Sequence, residues 1–225
     1  MGLIMHMAMA RMNTEPAKLL LLLNLLSPSF PTGAFAYSHG LEWAIAEDGV
    51  KSANDVEQWI ADLITVGSGW NDAVLFAQCW KNDSDPVNAL ALALSSSKER
   101  YHETTQLGRG FLIAAAAFVQ MPVREGETAY PIAAGLACCH AGMEKEQALL
   151  AFLQGFCAAL VSVAVRLVPL GQTNGLNVLR NLMPAIIAMA QRASHSTLED
   201  IGSAAFLADI ASMNHEHLET RIFRT

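Results

Sequence analysis

Ala148–Val165 is an 18-residue run in which only Gln154 and Ser162 carry polar side chains. A stretch this apolar has two stable settings. It spans a bilayer, which takes about 20 such residues, or it threads the middle of a protein with other helices on its sides. The flanks favour the second setting. The run is rich in alanine, holds a glycine and meets Arg166 directly, with neither an aromatic belt nor a basic cluster at its ends. A central core helix, or a helix at a dimer interface, is therefore expected here.

The rest of the chain reads the same way. Of its 225 residues, 52% are hydrophobic and only 16% are charged, against about 25% charged in an ordinary soluble domain. Leu and Ala dominate, β-branched residues are not enriched, and no segment alternates with period two or carries a hairpin dipeptide. Helical periods and caps place segments at Lys18–Leu26, Tyr37–Glu47, Ser52 to Thr65, Trp70–Lys81, Val87–Leu94, Lys98–Val119, Tyr130–His140, Glu144–Leu167, Gly171–Ala193 and Ser196–Met213. Pro184 predicts a kink or break in the ninth of these. The expectation is an all-α single domain of about nine or ten packed helices with no sheet. It covers residues 18–213, between a disordered N-terminal extension (1–17) and a polar C-terminal tail (214–225).

Charge and cysteines narrow the function. The net charge of −7 argues against nucleic acid, which rewards clustered Lys and Arg. The four cysteines, Cys79, Cys138, Cys139 and Cys157, form no C-x-x-C pair and no disulfide framework, so a reducing cytoplasm is the simpler setting. Phosphate loops, dinucleotide fingerprints, nucleophile elbows and H-E-x-x-H are all missing. The excess apolar surface suits a protein that works against partners.

Several polar stretches remain as candidates. Tyr37-Ser38-His39-Gly40-Leu41-Glu42 reads either as helix-entry chemistry, with Ser38 as cap and Glu42 near a helix N-terminus, or as a polar cluster at a partner surface or ion path. Cys138-Cys139-His140 puts neighbouring side chains about 100° apart on a helix, which does not converge on a metal. His215-Glu216-His217 has metal-binding chemistry but no nameable third ligand. Gln172 and Thr173 sit at a corner between two very apolar helices, where a cap is the plain reading.

Six strings occur in order along the chain. They are S-P-x-x-P-x-G-x-F-x-Y (Ser27 to Tyr37), E-W-A (Glu42 to Ala44) leading into a helix from Val50 to Ile60, and an E…L-G-x-x-F helix (Glu99 to Phe111). Then come Y-P-x-A-x-G (Tyr130 to Gly135), V-R-L-x-P-L-G-Q-T-x-G (Val165 to Gly175) and H-E-x-x-x-x-R-x-F-R (His215 to Arg224). Together they resemble the urease accessory protein UreF family from about Lys18 to Arg224. Leu176, where that family often has glutamine, and Ile222, where leucine is usual, are small departures.

The resemblance implies an all-helical, dimerising, cytoplasmic scaffold of urease maturation with no catalytic site, cofactor or membrane span of its own. It implies binding to UreD (also called UreH), recruitment of the GTPase UreG, modulation of its GTP hydrolysis, and nickel insertion into apo-urease. It makes His215, Glu216, Arg221, Phe223 and Arg224 the candidates for UreD contact. Tyr37, His39, Glu42, Gln172 and Thr173 become candidates for a partner surface or polar path. The alternative is a metal-binding protein or metalloenzyme using His215, His217 and His39.

Overall fold

A computed structural model describes residues 14–81, 83–122 and 124–225. Among these residues the chain is all-α, with ten α-helices, two short 3-10 turns and no strand. The helices are α1 (Glu15–Leu25), α2 (Leu41–Ala46), α3 (Ala53–Val66), α4 (Ser68–Gln78), α5 (Ser84–Ala93), α6 (Lys98–Ala115), α7 (Tyr130–His140), α8 (Lys145–Leu167), α9 (Gly171–His195) and α10 (Phe206–His215). The first thirteen positions of the expected extension lie outside the described residues, and α1 begins inside the rest of it.

Most starts follow local chemistry. Ser52 accepts from the Asp55 amide while Asp55 accepts back from the Ser52 amide, a reciprocal cap on α3. Ser97 caps α6 through the Arg100 amide. Pro131 occupies the first turn of α7, where no amide is needed.

The apolar run forms α8, as a core helix. Leu149, Leu153, Cys157, Leu160 and Ala164 are almost fully buried along it. Helix α9 turns back on α8 after Val168–Leu170 and also lies along α3, while α4 sits centrally against α3, α7, α8 and α9. Helices α6 and α7 pack as a pair so closely that Gly108 is required. A Cβ there would stand 1.9 Å from the Thr128 carbonyl oxygen, which explains the glycine of the E…L-G-x-x-F string.

Three expectations differ from the structure. Helix α9 runs through Pro184 without a break. Pro184 and Arg180 are both exposed, so the carbonyl that loses its amide partner can turn to water. The cap at Thr197 and Asp200 closes only a 3-10 turn, and α10 starts later, at Phe206. Helix α2 starts at Leu41, because His39 (φ 51°) and Gly40 (φ 76°) are both left-handed. The Leu41 amide donates to the Ser38 carbonyl at 3.0 Å across them, a tight turn of the type that needs two positive φ values.

Candidate functional site

The C-terminal tail folds back over this turn, and two buried carboxylate centres hold it. The first is Glu42, on α2 and only 5% exposed. Its Oε1 accepts from the Ile222 amide at 2.7 Å, and its Oε2 accepts from the Phe223 amide at 3.0 Å and from His215 Nε2 at 2.9 Å. The other ring nitrogen of His215 lies 2.7 Å from Glu99 on α6, whose second oxygen accepts from Arg221 at 2.7 Å. His215 is fully buried, and each of its ring nitrogens lies within hydrogen-bond distance of a carboxylate.

The second centre is Glu103, one turn along α6 from Glu99. It takes Arg100 Nη1 at 2.5 Å, His39 Nε2 at 3.0 Å and the Thr225 hydroxyl at 2.9 Å. Ser38 donates through both its amide and its hydroxyl to the Thr225 carbonyl, and the Arg224 amide donates to the Ala36 carbonyl at 2.8 Å. Arg224 also hydrogen-bonds the Tyr37 hydroxyl. Phe223 is buried, with the Arg166 guanidinium 5.9 Å from its ring centre, within cation–π range. Gly40 permits the approach of α10: a Cβ there would be 2.8 Å from the Ser212 amide nitrogen.

Electrostatics separates the groups around Glu103. Burial alone would raise its pKa, but Arg100 and His39 overcome that and hold it near 2. Burial, then the neighbouring Arg100, pushes His39 down and favours its neutral form. Burial pushes Asp72 on α4 up to about 6, against the pull of Arg100 at 3.7 Å. Beside this cluster lies a small cavity of about 50 Å³, lined by Tyr37, His39, Asp72, Arg100, Glu103 and Tyr130 among others. It has room for a water or two.

The candidate residues thus divide. Tyr37, His39, Glu42, His215, Arg221, Phe223 and Arg224 meet around the folded tail. Within the tail, His215 and Phe223 face inward, while Glu216, Arg221, Ile222 and Arg224 are exposed. Gln172 and Thr173 are exposed on the first turn of α9 and share no hydrogen bond with the cluster. His217 is exposed, His215 is saturated by two carboxylates, and His39 belongs to the other centre. Among the described residues no group of three or more His, Cys, Asp or Glu side chains could hold a metal.

Sequence reasoning missed Glu99 as a partner of the tail, and it missed Arg100, Glu103, Asp72 and Ser38 as members of the cluster. The signal available in the sequence was the polar first half of α6, with charges at Glu99, Arg100 and Glu103. All six strings contribute to this region: Tyr37, Glu42, Glu99, Arg166 and His215 directly, and Tyr130 through the cavity.

A family model for UreF matches residues 50–183. The chain belongs to the UreF family. A urease accessory protein UreF of Cereibacter sphaeroides is 47% identical over 210 residues, covering 92% of this chain and 98% of the relative. UreF of Mesorhizobium japonicum is 42% identical over 223 residues, covering 95% and 100%. UreF of Rhizobium etli is 45% identical over 210 residues, covering 89% and 93%.

Proposed function

We propose that this chain is a non-enzymatic scaffold and chaperone of urease maturation. It joins UreD to the GTPase UreG so that nickel, the cargo, enters apo-urease, and it modulates GTP hydrolysis by UreG. It works as a homodimer in the cytoplasm and has no cofactor of its own. Membership of the UreF family carries this reading. The folded tail supports a refinement of it: Arg221, Ile222, Arg224 and Glu216 meet UreD, while His215 and Phe223 hold the tail in shape from beneath. Tyr37, His39 and Glu42 belong to that support and to the polar cavity, and Gln172 and Thr173 form a separate partner-facing corner.

The test is co-purification of the full-length chain with UreD and UreG. Cutting after Met213 is a poor variant, because it strips the buried carboxylates of Glu42 and Glu103, and Glu99 beside them, of their tail partners. Ile222→Asp and Arg224→Glu change exposed side chains instead. Loss of UreD with retained folding supports the tail assignment. Undiminished UreD binding by both variants overturns that assignment, and failure of the wild-type chain to bind either partner overturns the scaffold reading.

A further inference from the structure

Away from the tail's inner face, an open groove of about 410 Å³ runs between α2, α3 and α10. Its floor is Trp43, Val50 and Trp59, and its wall is Leu207 and Ile210. Leu207 is 77% exposed, and Phe206, Ile210 and Met213 extend the same bare stripe along α10. Helix spacing puts these four on one face.

The rim is acidic. Glu47, Asp55 and Asp62 line the groove and no cation does. Asp55 is spent on the α3 cap and Asp62 accepts from Gln58 at 2.8 Å. Glu47 has no partner among the described residues. Lys51, four residues on, pairs with Asp48 at 3.3 Å. A second hollow continues past Trp43 and Glu47 to His217 and Glu219, so the acidic border extends beyond the groove itself.

An apolar trough with two tryptophans and a carboxylate rim fits one kind of occupant. We infer that this groove docks a cationic amphipathic segment of a partner protein. Its apolar residues lie between Trp59 and Leu207, and its Lys or Arg residues reach Glu47 and Asp62. Aromatic anchors inside a charged rim are the usual energetic layout of such sites. The inference stands apart from the tail assignment, since none of these groups holds the tail.

Calorimetric titration of the full chain tests it with two synthetic 16-residue helix-forming peptides of the same leucine face, one flanked by arginines and one by glutamates. The wild type is expected to bind the arginine peptide at least tenfold more tightly. Glu47→Lys with Asp62→Lys is expected to reverse that preference. Leu207→Asp is expected to weaken arginine-peptide binding at least fivefold. All three positions are exposed, so circular dichroism should stay unchanged. Equal binding of the two peptides overturns the inference. So does arginine-peptide binding indifferent to Leu207→Asp, which would be general attraction to an acidic protein. If Leu207→Asp instead abolishes a dimer while neither peptide binds, the groove belongs to a second copy and the inference fails.

Discussion

Replacing Glu42 by alanine should release the tail without unfolding the domain. The substitution removes an acceptor that serves the Ile222 amide, the Phe223 amide and His215 Nε2 at 2.7 to 3.0 Å. A hydrogen bond to a charged acceptor contributes roughly 1.5–3 kcal/mol, so the gross loss is about 4–9 kcal/mol. The net loss is smaller. Once its bonds are gone the tail can swing into water and solvate both amides, and His215 keeps Glu99 at 2.7 Å. The effect on global stability is therefore capped by the free energy of docking the tail, which we put at about 3 kcal/mol from two amide bonds to a carboxylate at the low end of that range. At about 1.4 kcal/mol per decade, protection of the Ile222 and Phe223 amides against hydrogen exchange should fall by roughly a hundredfold. Amides in the middle of α8 should keep theirs. Glu42→Gln retains one carbonyl acceptor and should fall between. The reasoning is refuted if both tail amides exchange in the alanine variant at the wild-type rate.

Three further outcomes follow from the second centre and the helix contacts. The Arg100 and His39 side chains hold the Glu103 carboxyl at about 2 in the folded chain, against 4.5 for an ordinary glutamate. Its contribution is therefore present above pH 4.5 and is lost as pH falls toward 2. At 1.36 kcal/mol per unit it amounts to roughly 3 kcal/mol, and Glu103→Gln should flatten that acid limb in urea titrations. Asp72 has the opposite sign: with its pKa raised to about 6 from 3.8, the folded state binds the extra proton between those values. Stability falls as pH rises through that window, so Asp72→Asn should gain on the wild type from pH 4 to pH 7 by about 2 kcal/mol. Gly108→Ala should drive a methyl into the Thr128 carbonyl, lowering stability by about 1–3 kcal/mol in thermal melts.

The helices were legible because their signals are local. The Ser52 cap, the Pro131 start and the apolar period of α8 each act within a few residues, and each appears where it was expected. What failed to show in advance was conformation without a side-chain signature. The left-handed turn at His39 and Gly40 looked like the opening of a helix, since histidine rarely adopts positive φ. The tail lacks periodicity because nothing repeats in it: His215 and the consecutive residues Arg221 to Thr225 are held by Glu42, Glu99, Glu103, Arg166 and Ala36 in turn. Such a segment has no period to read. Its receptor was equally hidden, because Glu99, Arg100 and Glu103 look like a solvated helix face until another chain segment covers them.

That receptor explains why the tail is held by carboxylates when the chain has apolar residues in abundance. Buried ion pairs add little net stability over a well-packed apolar contact, but they allow only one geometry. Phe223 alone could slide along a greasy surface. Phe223 with its amide on Glu42, its ring beneath Arg166 and the neighbouring Ile222 amide on the other oxygen of Glu42 cannot. The same design keeps the arms outward: with His215 and Phe223 turned in, Ile222 and Arg224 must face solvent. A purely apolar latch would stabilise docking and leave the direction of these side chains free. Under the scaffold role proposed above, that direction must be fixed, so Glu42→Ala should cost partner affinity even where the domain stays folded.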